Sequence, residues 1–212
     1  MWRLFLAAVA VLVLHGCVAI NGVSNSSLVR PLLPEPTFRL FSAEGTGAVD
    51  RKVGQMIAYQ LLKRGFQNTK GEPQQLNVIF ATDVAPAGVK TTAFTTINQP
   101  KQRYTVVGNN VVRKSGTATA TTVVDSTQNF KKSISVWIED AATGDIYWEG
   151  EVSEVGWCRQ IFVTAPNILA LMFEGFPDEA TNRNKRVDDR DPVVQELRSL
   201  FPPDTNWGCR AT

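Results

Sequence analysis

Apolar and polar residues alternate along this 212-residue chain with different periods, and each period predicts a different structure. Residues 4–14 are apolar without a break. Val49, Val53, Met56, Ile57 and Leu61 return at helical spacing, which predicts a helix with one core-facing stripe. Thr46 or a neighbour is placed to cap its start, and Asp50 suits the positive end of its dipole. Lys63 and Arg64 suit the other end, and Gly65 supplies a left-handed stop with Phe66 set for a contact across it. Elsewhere the period is two. Residues 37–42 (TFRLFS) and 76–84 read as strands; in the second, Leu76, Val78, Phe80, Thr82 and Val84 oppose Asn77, Ile79, Ala81 and Asp83.

After Val84 the rhythm fails. Pro86, Gly88, Pro100, Gly108 and Gly116 interrupt β-prone pieces, which predicts a long, partly ordered excursion over residues 85–116 with one loose hairpin. Long loops in compact domains often carry contacts. Alternation returns in three strands, 117–126, 132–140 and 146–155. Within the middle one, Ile134, Val136 and Ile138 face opposite to Ser133, Ser135, Trp137 and Glu139. The short Ala141-Ala142-Thr143-Gly144 turn makes an antiparallel meander of them. Thr164-Ala165-Pro166 reads as a helix start before Ile168, Leu169, Met172, Phe173 and Phe176. Asp191-Pro192 starts another, with Val193, Val194, Leu197, Leu200 and Phe201 inward and Pro202-Pro203 ending it. Residues 183–191 mix both signs of charge and read as a solvated loop. Residues 18–36, polar at first and stiffened by Pro31, Pro34 and Pro36, read as a tether. The expected fold is α/β (α+β): one domain over 37–212, with a mixed or antiparallel sheet and helices packed on one face.

Composition narrows the chemistry. With 22 basic and 20 acidic residues the formal charge is +2, which leaves no electrostatic footprint for nucleic acid. The single histidine, His15, ends the N-terminal apolar run, so a chain cleaved after residue 16 contains none. That removes His-based general bases, Ser-His-Asp and Cys-His arrangements, and His-ligated metals. Asp140 and Asp145 in the turn, with Glu139, Glu149 and Glu151 on its flanks, admit a metal or acid/base reading. The spacing lacks the glycine and terminal glutamate of a calcium loop, and a solvated turn tip is the plainer reading. No catalytic residue, metal site or cofactor is assigned. Trp137, Tyr147 and Trp148 form a possible binding surface, a stacking platform for a sugar or peptide; the competing reading is core packing.

Arg3, the apolar run and Leu14-His15-Gly16-Cys17 together resemble the signal peptide and lipobox of bacterial lipoproteins. Eleven residues as a helix reach about 16 Å against a hydrocarbon core of about 30 Å, too short to span. The resemblance implies removal of residues 1–16, lipidation of Cys17 by palmitate-like chains, and a lipidated tether over 17–36. Val18, rather than aspartate, follows the cysteine, which implies the outer membrane, periplasmic face. With Cys17 acylated, Cys158 and Cys209 remain, each beside a tryptophan. In an oxidising compartment such a pair reads as a disulfide, worth roughly 4 kcal/mol for a loop of about fifty residues; the alternative is two buried thiols.

Two blocks carry a wider resemblance. Arg64-Gly65-Phe66 with the strand 76–80 forms the first. The second is the strand from Ile134, the Asp-x-x-Thr-Gly turn, Tyr147-Trp148-Glu149-Gly150, and the helix ending Leu200-Phe201-Pro202-Pro203. They resemble a large uncharacterised family of bacterial envelope lipoproteins. More remotely they are similar to penicillin-binding-protein activator lipoproteins and the amino-terminal domain of TolB. The resemblance implies a periplasmic α/β domain without catalytic residues. The expected function is binding of another envelope component, in an adaptor or assembly role; the alternative is a small-ligand or glycan/peptidoglycan binder. The expected partners are the membrane, through the lipid, and an envelope protein. Peptide mapping without reductant is expected to recover Cys158 joined to Cys209, and free thiols at both would refute the bridge.

Overall fold

Seven strands form one mixed sheet, and three helices pack on it in an α+β arrangement. The computed structural model describes residues 19–202 except 44, 46, 70–72, 99–102, 108–109 and 115–118; for 97, 98, 103–107, 110–114 and 119 it describes the backbone alone. In chain order the elements are β1 (Ile20–Leu28), β2 (Thr37–Ser42), α1 (Ala48–Leu62), β3 (Gln67–Asn68), β4 (Leu76–Asn98), β5 (Arg103–Val107) and β6 (Asn110–Lys114). Then follow β7 (Thr119–Asp140), β8 (Ile146–Gly156), α2 (Ile161–Met172), β9 (Ala180–Val187) and α3 (Pro192–Leu200). The main sheet runs β3-β2-β4-β7-β8-β1-β9, while β5 and β6 pair as a separate ribbon. β2 is parallel to β3 and β4; the other pairings are antiparallel.

The helix-side core follows the period-two pattern. Phe38, Leu76, Val78, Phe80, Ile134, Val136, Ile138, Trp148 and Val152 share one buried core with Val53, Met56, Ile57 and Leu61 of α1, and α2 covers β7 and β8. Thr46 lies outside the described residues, and Gly47 occupies the N-cap without a side-chain bond. The C-terminal stop is as expected. Gly65 has φ +88°, the Phe66 amide donates to the Leu61 carbonyl, and Phe66 packs edge-on to Phe38. α2 is buried on all sides, 11 of its 12 residues, between the sheet and the other two helices. It starts one turn before the expected Thr164, because Ile161 and Phe162 are themselves drawn into the core. Pro166 therefore sits inside the helix and forgoes one backbone bond. α3 begins as its Asp-Pro signal indicates: the Asp191 carboxylate accepts from the Val193 and Val194 amides.

Three expectations need correction. The tether assigned to 17–36 is a strand over much of its length. β1 lies between β8 and β9, with Ile20, Gly22 and Ser24 buried. Its polarity hid it: Gly22 leaves room where α2 comes close, since a Cβ there would overlap Leu171. The charged stretch within 183–191 is not all loop either. Its first half belongs to β9, an edge strand, where exposed charge discourages further pairing. Third, the excursion is no loose hairpin: β4 and β7 stay paired from Leu76↔Asp140 out to Asn98↔Thr119. Pro86 and Gly88 mark a bulge in this ribbon, with Gly88 at φ +100°, not a break.

One buried ion pair lies at the point where the ribbon leaves the sheet. Lys132 and Glu154 are both almost wholly buried and paired, and the Lys132 ammonium also donates to the Cys158 carbonyl at 2.6 Å. Across α1 and α3 the Glu196 carboxylate accepts from Lys63 at 2.6 Å and from the Tyr59 hydroxyl at 2.5 Å. These bonds hold the Glu196 carboxyl below its ordinary range, and the bond to Glu196 raises the Tyr59 phenol.

The Tyr147-Trp148-Glu149-Gly150 segment has a steric logic. The Trp148 indole is fully buried against Phe173 and Phe176 and lies along its own strand over Gly150, where a Cβ would overlap the ring. Gly150→Ala is expected to lower stability by about 1–3 kcal/mol in denaturant melts. The loss should shrink in a Trp148→Leu background; an equal loss in both would break the link between the two residues.

Candidate functional site

The face of the sheet opposite the helices is open, and pairing register arranges its side chains in rows. One row runs Phe41, Ile79, Trp137, Glu149 and Ser27; the next runs Ala81, Ser135, Glu151 and Asn25. Cross-strand neighbours in such rows stand about 5 Å apart. Where β7, β8 and β1 carry these rows the surface forms a concavity of about 320 Å³, bounded at its far side by Ala180 and Thr181 of β9.

Trp137 lies half-buried in the floor of this concavity, and Glu149 and Glu151 stand exposed beside it. Among the described residues, the side chains of Trp137, Ser27, Ser135, Glu149 and Glu151 make no hydrogen bond or ion pair. Nearby cations are engaged elsewhere: Arg30 pairs with Asp145 at 2.8 Å, and Arg39 lies over the Phe41 ring. The result is an aromatic face with two uncompensated carboxylates and several free hydroxyls. Such a set attracts a cation, because an ammonium placed against the ring gains from both the quadrupole and the carboxylate charge.

A second concavity of about 530 Å³ lies between α1 and β2, lined by Leu40, Phe41, Gly54, Ala58 and Phe80 among others. It is the more apolar of the two, and its acid is occupied: Asp50 accepts from the Thr82 hydroxyl at 3.2 Å. The Trp137 concavity therefore has the stronger claim to a polar ligand.

The three expected surface aromatics separate. Trp137 alone lines the open concavity. Trp148 is corrected from surface to core, since it shares the inward face with Gly150 and Val152. Tyr147 packs at the rim of the core and directs its hydroxyl toward Asp140 at 3.4 Å, away from Trp137. Cys158 is buried, 7% exposed; Cys17 and Cys209, and with them the expected bridge, lie outside the described residues. Asn25 and Ser27 escaped the sequence reading because their segment reads as a tether, and no periodic signal marks it otherwise.

The carboxylate turn is built for geometry. Asp140 accepts from the Thr143 amide at 2.9 Å and the Ala142 amide at 2.8 Å, an Asx arrangement that closes the β7–β8 connection. Those two amides hold its carboxyl below the ordinary value. No group of three potential ligands for a metal occurs among the described residues. A depressed carboxyl stabilises the fold above the ordinary carboxylate range and loses that contribution as pH falls through its folded value. Asp140→Ala should therefore lower the melting temperature at neutral pH, with the gap from the parent closing on acidification to below about pH 4. A gap independent of pH would show that the charge is not what matters.

No protein-family model matches this chain, and no curated protein matches it. Among solved structures it is similar to the PelC dodecamer from Paraburkholderia phytofirmans, at 11% identity and TM-score 0.40, over 71% of this chain and 93% of that one. A point variant of the same dodecamer gives the same identity and score. A PDZ domain protein from Parabacteroides distasonis is similar at 12% identity and TM-score 0.43, over 80% of this chain and 38% of that one. Likeness this distant leaves the reading of function to the chain's own residues.

Proposed function

We propose that this chain is a non-catalytic lipoprotein, acylated at Cys17 and held at the periplasmic face of the outer membrane, that binds a cationic group of another envelope component at Trp137. The observation that carries the binding site is the unpaired set of Trp137, Glu149 and Glu151 in one concavity. Two carboxylates left uncompensated repel one another; a partner ammonium or guanidinium relieves this while stacking on the ring. The sheet fixes their backbone positions, so binding has to order only the side-chain rotamers of Glu149 and Glu151. The bridge between Cys158 and Cys209 belongs to this reading, as does the lipid.

A glycan or peptidoglycan fragment is the second occupant the same platform allows, because a sugar ring stacks on an indole face and its hydroxyls reach Ser27, Ser135 and Asn25. The two are separable. A photo-crosslinking amino acid at Ser135 of the lipidated protein in living cells is expected to give a discrete protein adduct. Glu149→Gln with Glu151→Gln should reduce it at least tenfold. No adduct, or one indifferent to the charge change, would overturn the protein-partner reading. Quenching of Trp137 by soluble muropeptides in that case would assign the site to the glycan.

A further inference from the structure

We infer that the β4–β7 arm is a membrane-crossing hairpin whose free edges pair with the same arm of other copies to close a β-barrel. The inference rests on the acylation of Cys17 and is independent of the Trp137 site. Topology supplies the first argument. The arm leaves the sheet beyond the row Pro86, Phe130 and Gly156. Gly22 faces Glu154, so Ile20 falls level with Gly156 at that same end. β1 is antiparallel to β8, so the chain before Ile20 departs in the direction the arm does. Cys17 precedes Ile20 by three residues, a reach of at most about 10 Å. Its acyl chains thus hold this end of the sheet at the bilayer. Eleven paired positions, Gly88↔Asn129 to Asn98↔Thr119, extend the arm by roughly 35 Å from the same end. An arm longer than the gap beneath it meets the membrane.

Sequence supplies the second argument. Residues 91–100 and 115–124 carry no charge, and of these 91–98 and 119–124 lie on opposite strands of one hairpin. Each uncharged run is ten residues long, and a transmembrane strand needs about 9–11. In sequence, Lys90 and Lys101 bound the first run, and Lys114 and Asp125 bound the second. On the near half of the arm, one face (Val89, Thr91, Ala93 and Thr95, with Gln128, Ser126, Val124 and Thr122 opposite) is uncharged, whereas Lys90 and Asp125 share the other with Phe94 and Val123. The alternation suits a strand with lipid on one side and a polar lumen on the other.

Energetics supplies the third. Val89 is 60% exposed and Val124 61%, both on the uncharged face of a two-stranded ribbon that nothing described covers. Such ribbons are marginal in water. Beyond Phe80 and Phe130 the outer edges of β4 and β7 have no pairing partner among the described residues. Lipid cannot satisfy those amides and carbonyls, so a crossing hairpin must have its edges paired, and copies of itself supply the matching edge.

The test uses the full-length lipidated protein in phosphatidylethanolamine–phosphatidylglycerol vesicles, with single cysteines placed in turn at positions 89 to 96 and labelled with a polarity-sensitive fluorophore. The unsubstituted protein, labelled in parallel, sets the background. Positions 89, 91, 93 and 95 should emit as in hydrocarbon and be quenched at least twofold by nitroxide-bearing lipid; 90, 92, 94 and 96 should not. Mass spectrometry of Cys17 comes first, and an unacylated residue overturns the anchor and this inference together. With acylation confirmed, eight water-like signals overturn the crossing alone. Eight signals shielded from water yet not quenched by lipid would place the arm against protein, which overturns it equally.

Discussion

Burial of α2 is the constraint on which the rest of the structure depends. A helix with 11 buried residues in 12 needs cover on every side, and sheet, α1 and α3 each provide part of it. This fixes which face of the sheet is helical and leaves the other face bare. It also shapes β1: a Cβ at position 22 would lie 2.6 Å from Leu171 Cδ2, so any larger residue there would push the Leu171 side chain aside. The glycine in that strand thus suits the helix it supports. Asn167, wholly buried, donates to the Val187 carbonyl and ties β9 to the same helix.

Sequence periodicity made α1, α3, β2, β8 and the inward faces of β4 and β7 legible, because each couples an apolar stripe to a recognisable cap or turn. It failed where the stripe is absent. After Ile20, β1 buries only a glycine and a serine, so no apolar stripe distinguishes it from a linker. The β4–β7 arm has no core to face, and Pro86 and Gly88, which usually end strands, here accommodate one extra residue in a bulge. The candidate site was half legible. Trp137 falls on the open face by simple alternation, but its neighbours Asn25 and Ser27 enter only through the register of a strand that the sequence conceals. Trp148 misled because an aromatic pair invites a surface reading, whereas its fit over Gly150 is a three-dimensional fact.

The open face and the arm divide the molecule by distance. The Trp137 row lies seven residues along β7 from Phe130, roughly 23 Å from the end at which β1 begins. Under the proposed acylation of Cys17, a ligand site there would stand clear of lipid headgroups while the anchor held the opposite end. Loss of the expected tether makes this spacing a fixed property of the fold, set by strand length and not by the average dimensions of a flexible segment.

The Lys132–Glu154 pair acquires a mechanical meaning from its position. Lys132 sits two residues inward of Phe130, at the root of the long arm, and grips both β8 and the Cys158 carbonyl. A lateral load on the arm acts like a force on a lever, and this lysine is the pin on which it turns. Separating the pair would strand two charges away from water, which costs several kcal/mol. Opening the arm's root would therefore be costly, and the lysine links it directly to β8 and to the segment leading to α2.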